Sequence, residues 1–320
     1  MSNTPFYGGQ AVIEGVMMRG PRHWAVGVRN PEGQIVIHAE VLKGSIYQGR
    51  WTRLPLIRGA LMLWDTLALG MRSLSFAANV AIGGESEKTQ LDESARGIER
   101  PIMGAMIVAL AMSVALFFVV PVLITSATDR YVSSPLLSNL IEKLIRLTFI
   151  LGYMLVIGQL DDVKRVFGYH GAEHKTINTY EAGVELTVPN VRRFTLLHPR
   201  CGTTFLLVVV IVSFVVFSLL GRPPLAERIL SRIVLIPVVA GIAYELIRLG
   251  ASNYHRRFVR ALLAPGLAVQ KLTTREPDNS MIEVAIAALK RVLTDERGMA
   301  TEEAPIVDVT PVAVSSAASA

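Results

Sequence analysis

Residues Ile102 to Thr125 run without a single charged side chain. At 1.5 Å per helical residue, a run of that length crosses the roughly 30 Å hydrocarbon layer of a bilayer. Three more apolar stretches follow. Thr203 to Leu220 is equally clean, and Ile233 to Leu249 carries Glu245 and Arg248 only near its far end. Leu147 to Leu160 is short and reaches spanning length only by recruiting Leu136 to Arg146, with Lys143 and Arg146 extending toward the interface. Composition agrees with this pattern, since 51% of residues are apolar and 18% charged, and mean hydropathy is +0.44, well above an ordinary soluble chain. The expectation is a mainly α-helical multi-pass membrane protein with a small N-terminal β-rich unit, about four transmembrane helices and further amphipathic helices.

Loop charge orients the set. The first hundred residues hold eleven Lys and Arg, and the loop 161–202 holds six. Arg256, Arg257 and Arg260 follow the last apolar stretch, whereas the two remaining loops are poor in Lys and Arg. The positive-inside rule then places both termini and the 161–202 loop in the cytoplasm of a bacterial cell with the chain in its inner membrane. Met1 to Gly20 has glycines and Glu14 where a signal peptide would need an apolar core. The net charge of +6 suits anionic lipid heads. With no basic run interleaved with aromatics, the partner expected is the lipid bilayer and no nucleic acid.

The chain divides accordingly. Residues 1–50 read as a β-rich unit: Gln10 to Met18 is β-prone, and Trp24 to Arg29 and Gln34 to Leu42 flank the turn signal Asn30-Pro31-Glu32-Gly33. Gly8, Gly9 and Gly15 loosen the first strand, and no Lys-Ser/Thr follows them to make a phosphate loop. Residues 51–100 hold an apolar helix over Leu54 to Ile82 and a polar loop over Gly83 to Arg100. Arg58, Asp65 and Arg72 fall seven apart and hence near one stripe, which fits a helix lying on the membrane surface or against the bundle. Residues 101–250 are the membrane domain. In 251–295, Ala264 to Leu267 reads as a turn and Ser280 to Leu293 as a helix with a Ser280–Glu283 capping box. Residues 296–320 have the composition of a disordered tail.

The chemistry concentrates between Tyr169 and Cys201, which hold three of the six histidines and the single cysteine. One cysteine excludes an internal disulfide and leaves Cys201 a free thiol or a ligand. His170, Glu173 and His174 form H-x-x-E-H, which on a helix puts all three on one face. Two such histidines can bind a divalent metal, zinc foremost, with Glu173 as general base on its water. His198 and Cys201 follow at i, i+3. All four ligands together would make a closed structural site, whereas three would leave a position open for water that Glu173 activates. Glu181, Glu185, Asp161 and Asp162 are other nearby acids, and Lys175 with Arg200 would alternatively mark an anion site. Glu14 and Arg19 could line the site from the β unit. Glu245, paired with Arg248 one turn on, is an intramembrane acid. Against all this stands the plain alternative of surface histidines that anchor a loop and a cysteine that only packs.

The stretches G-G-Q-A-V-I-E-G-V-M-M-R-G-P, Y-H-G-A-E-H-K-T-I-N-T-Y-E, H-P-R-C-G-T-T-F and A-P-G-L-A-V-Q-K-L-T-T-R-E-P resemble the YqhQ-like family of bacterial membrane proteins, domain of unknown function 1385. The resemblance runs from about Gly8 to Leu293 with no clear departure from the family pattern. It implies a membrane protein without a settled activity. The label of predicted metal-dependent enzyme sometimes given to the family concerns His170, Glu173, His174, His198 and Cys201. Three functional readings follow: a metal-dependent hydrolase-like enzyme, a transporter or channel subunit that uses Glu245 and assembles as a homo-oligomer, and a membrane scaffold clipped by a structural metal.

Overall fold

The computed structural model describes residues 7–42, 54–81, 104–105, 107–128, 131–221 and 223–298. The expected polar loop at Gly83 to Arg100 and the tail beyond residue 298 lie outside the described residues.

The N-terminal unit is an antiparallel meander of β1 (Gly8–Val12), β2 (Gly15–Arg19), β3 (His23–Arg29) and β4 (Ile35–Val41) in that order. Gly33, at φ +87°, closes the anticipated turn before β4, where Gln34 N–H donates to Asn30 Oδ1 at 2.7 Å. The β-prone run Gln10 to Met18 is two strands, not one. Glu14 takes φ +51° and reverses the chain so that Val12 faces Gly15. Gly15 therefore opens β2, where a Cβ would stand 2.3 Å from Gly27 O; it admits β3 rather than loosening the first strand.

Ten helices carry the rest of the described chain: α1 (Ile57–Ala81), α2 (Ile107–Thr128), α3 (Pro135–Ile157), α4 (Asp161–Glu181), α5 (Val188–Arg192), α6 (Gly202–Ser218), α7 (Leu225–Val234), α8 (Ile236–Ser252), α9 (Arg257–Thr273) and α10 (Asn279–Glu296). Alternation along the strands covers both faces of the sheet. Val16, Met18, Ala25 and Ile35 share a core with Tyr169, Ala172 and Ile177 of α4 and with Ile282, Ala285 and Leu289 of α10. Met17, Trp24, Val26 and Val28 pack with Leu69, Ala77 and Val80 of α1. The β unit, the 161–202 segment and the C-terminal helix thus form one body. Most of 161–202 is helix rather than loop.

The charge stripe of α1 faces protein. Asp65 pairs with Arg19 at 2.8 Å, Arg72 with Glu40 at 2.7 Å, and Arg58 Nε with Glu245 Oε1 at 2.5 Å. The outward face carries Trp64, 69% exposed, and Leu67, 54% exposed.

Among the described residues α2 is the one helix long and apolar enough to cross a membrane, and α7 with α8, bent by 47°, would add a second as one broken span. The expectation of four spans is therefore met only in part. Within α3, Lys143 and Arg146 do not reach outward. They are buried and donate to Glu142 Oε1 at 2.7 and 3.1 Å, and Arg232 Nη2 of α7 donates to Glu142 Oε2 at 3.0 Å. A buried carboxylate surrounded by cations satisfies the charge that the interface was expected to solvate.

Two C-terminal expectations also change. Ala264 to Leu267 is not a turn, because Pro265 sits inside α9 and Gly266 presses on α6, where a Cβ would meet Thr204 Cγ2 at 2.6 Å. Tertiary contact outweighs the lost backbone donor of proline. The N-cap of α10 is Asp278, whose side chain accepts from Met281 N–H at 2.9 Å; Ser280 donates to Asp278 instead, and Glu283 pairs with Arg29.

Candidate metal centre

Helix α4 opens on Asp161 and Asp162, acids that complement the positive end of its dipole. Both are exposed, and Asp161 pairs with Lys164 at 2.8 Å, so neither is a ligand candidate here. Further along, Gly168 and Gly171 let other chain lie directly on the helix. A Cβ on Gly171 would stand 2.1 Å from Arg275 O, and Arg275 N–H donates to Phe167 O at 2.9 Å. That approach brings the end of α9 over His170.

The two histidines are held in one tautomer by backbone carbonyls. Thr273 O lies 2.8 Å from His170 Nδ1, and Leu196 O lies 2.5 Å from His174 Nδ1. A carbonyl can only accept, so each Nδ1 is the donor and each Nε2 keeps its lone pair for a ligand, the arrangement seen around metal-bound imidazoles. Cys201, the N-cap residue of α6, brings Sγ to 3.4 Å from His170 Nε2. The ligand atoms of His170, His174 and Cys201 all lie within 4.8 Å of one another. Zn–N and Zn–S bond lengths give a tetrahedral edge of about 3.5 Å, so one edge already fits and the longest must close by about 1 Å.

His198 stands beside this trio. Its ring centroid is 5.5 Å from that of His174, and its Nε2 is buried without a hydrogen-bond partner, with Glu181 Oε2 at 3.8 Å. Gln270 fixes its backbone, accepting from His198 N–H at 3.0 Å and donating to His198 O at 2.7 Å. Glu173 is buried, its Oε2 3.4 Å from His174 Nε2, under Gly9, where a Cβ would meet Glu173 Cγ at 2.7 Å.

The other acids and bases serve packing. Glu181 pairs with Arg200, Lys175 with Glu276 at 2.5 Å, and Glu185 is exposed, so the Lys175–Arg200 anion site does not form: each cation already holds a carboxylate. Arg19 serves Asp65 and Glu245 serves Arg58, away from the trio. Glu14 accepts from Arg165 Nε at 2.6 Å and from Tyr169 OH at 3.3 Å, tying the β1–β2 turn to α4. Above all the Arg165 hydrogen bond holds the Glu14 carboxyl below its usual 4.5, against the opposing effect of burial. A carboxyl with a lowered folded-state pKa stabilises the fold above its unfolded value and loses that contribution as pH falls through the folded one. Glu14→Gln is therefore expected to melt lower than wild type at pH 7, with the difference closing as pH drops below 4.5. Melting curves from pH 7 to 3 check this, and a pH-independent difference would contradict it.

The supports that sequence reading misses are Gln270, fully buried, and the carbonyls of Thr273 and Leu196. A polar residue on the buried side of α9 was the available signal for the first; backbone carbonyls leave none.

A pocket of about 630 Å³ opens on two of the three, lined by His170 and Cys201 together with Met62, Leu63, Phe205, Leu206 and Ile247.

Comparison with known proteins adds kinship. A family model described as a protein of unknown function (DUF1385) matches residues 54–295. The chain is similar to the uncharacterized protein YqhQ of Bacillus subtilis (strain 168), at 35% identity over 294 residues that cover 90% of this chain and 92% of the relative. No solved structure matches.

Proposed function

Since the chain belongs to the DUF1385 family, whose description carries no activity, its function has to be read from its own residues, and we propose a membrane-embedded, metal-dependent hydrolase-like enzyme. The observation that carries this is the convergence of His170, His174 and Cys201, with both Nδ1 protons committed to carbonyls. Two imidazoles and a thiolate suit zinc. When bound, a zinc ion supplies Lewis acidity and lowers the pKa of its water.

Three protein ligands leave a fourth position for water, and His198 is the neighbour that would close it in a structural site. In the catalytic reading Glu173 takes a proton from the attacking water as its oxygen bonds to a carbonyl or phosphoryl centre. The same proton then goes to the leaving group as its bond breaks. The bilayer setting is supported by α2 and by wide apolar exposure beyond it: Val156 is 70% exposed, Leu230 61% and Leu219 84%, a surface that water would not tolerate over several helices. Loop charge supports a cytoplasmic placement of the centre in an inner membrane. The transporter reading loses its main residue, because Glu245 is held by Arg58 through two hydrogen bonds.

Glu173→Gln tests the role of the base. The variant is expected to keep its metal while hydrolysis of a panel of fluorogenic esters and phosphodiesters falls at least hundredfold, the lower range for a general base. Wild-type protein that binds metal, hydrolyses nothing in the panel and melts lower with a chelator would instead be a scaffold with a metal clip.

A further inference from the structure

Helix α9 leaves two different stripes outside the fold. Its inward face is Leu263, Gly266, Leu267 and Gln270, all buried, and from this side Gln270 and the Thr273 carbonyl reach His198 and His170. At about 100° per residue, Phe258, Leu262 and Pro265 share a second stripe, and Arg257, Arg260 and Lys271 share a third about 140° from it. All six are exposed, Phe258 by 78% and Leu262 by 68%.

No acid opposes the basic stripe. Leu246 to Arg275 contains no Asp or Glu, and Glu276 beyond it is held by Lys175 at 2.5 Å. Among the described residues no carboxylate is ion-paired with Arg257, Arg260 or Lys271. The apolar stripe, for its part, continues onto α8. Gly250 lies against α9, where a Cβ would stand 3.2 Å from Leu263 Cδ1, so α9 starts beside the last turns of α8. There Leu246 and Leu249 are 47% and 62% exposed, on the helix that ends the broken span. A bilayer with anionic lipids matches both stripes at this place: its acyl boundary covers Phe258 and Leu262, and its heads meet the cations.

We infer that α9 lies in the cytoplasmic headgroup layer as an interfacial helix, with Phe258 and Leu262 in the acyl boundary and Arg257, Arg260 and Lys271 against anionic lipid heads. The inference rests on the bilayer setting of the proposed function and is independent of the metal centre and its chemistry. Each Lys or Arg near an anionic surface strengthens attraction about fivefold, so three on one stripe gather anionic lipid round the helix above its share of the bilayer. The helix that supports His170 and His198 is thereby itself seated on the membrane surface.

The test places an indole on the apolar stripe. Full-length Phe258→Trp protein is reconstituted into nanodiscs of phosphatidylcholine with a minor share of phosphatidylglycerol. Bromine, which quenches tryptophan on contact, is carried either by the phosphatidylglycerol or by an equal amount of the phosphatidylcholine. Emission of wild type, with its three native tryptophans, is subtracted. The added indole is expected to be quenched in both preparations, and at least twofold more strongly when the phosphatidylglycerol is brominated. Arg257→Gln with Arg260→Gln in the same chain should bring the two lipids toward equality while quenching itself persists. Wild-type tryptophans that neither brominated lipid quenches would overturn the bilayer setting and the inference with it. Quenching of wild type to which Phe258→Trp adds nothing would overturn the inference alone. Equal quenching by the two lipids, or a preference unchanged by the arginine substitutions, would do the same.

Discussion

Gly171→Ala is expected to cost about 3 kcal/mol of stability and to lower the melting temperature by about 5 °C. The added Cβ would stand 2.1 Å from Arg275 O and 2.8 Å from Leu196 Cδ2. The first of these is backbone, and it cannot retreat freely: Arg275 N–H is bonded to Phe167 O at 2.9 Å, and two residues before it the Thr273 carbonyl holds His170. Relief therefore requires α4 and the end of α9 to separate, which undoes the packing and the histidine support together. Gly152→Ala is the matched control, because a Cβ there meets nothing within 4 Å on helix α3. Its expected effect is neutral to about 1 kcal/mol stabilising, from helix propensity. Thermal melts of the two variants in detergent check the contrast, and equal melting of Gly171→Ala and wild type would contradict it.

His174→Ala is expected to weaken zinc binding at least hundredfold. Loss of an outer hydrogen-bond partner alone costs about 10–100-fold in metal affinity, and this substitution removes a proposed ligand as well as the group that satisfies Leu196 O. His174 is 1% exposed, so no solvent side chain can swing in to replace it. His198 is the nearest spare imidazole, at 5.5 Å between ring centroids, and its backbone is fixed by both hydrogen bonds of Gln270. Competition against a chromophoric chelator measures the affinity, and an unchanged constant in His174→Ala would remove that residue from the site.

The sequence marked the centre because its information is local where the helix is regular. His170, Glu173 and His174 share a face of α4 by spacing alone, and H-x-x-C falls at the start of an apolar helix, so Cys201 arrives at a helix N-terminus. The meeting of the two motifs is visible only in three dimensions, through the close approaches that Gly168, Gly171 and Gly266 allow. Other features were hidden for physical reasons. The turn at Glu14 has its glycine one place late, at Gly15, where it opens β2; a non-glycine residue holds φ +51° while Arg165, far along the chain, binds its carboxylate. Pro265 reads as a helix breaker until Gly266 is seen against Thr204. Periodicity gives the charged stripe of α1 but not its direction, so the helix reads as lying on the membrane surface or against the bundle, and the direction is set by Arg19, Glu40 and Glu245.

The central claim is that two imidazole nitrogens and the Cys201 sulfur hold one metal ion. Cobalt(II) substitution tests it most directly, because a thiolate bound to cobalt adds a near-ultraviolet charge-transfer band that nitrogen and oxygen ligands do not give. Purified protein titrated with cobalt(II) is expected to saturate at one equivalent per chain, with tetrahedral visible bands and the thiolate band together. Cys201→Ser should lose the thiolate band while His170→Ala and His174→Ala lose tight binding. A thiolate band unchanged in Cys201→Ser, or no saturable cobalt binding by wild type, would contradict the account.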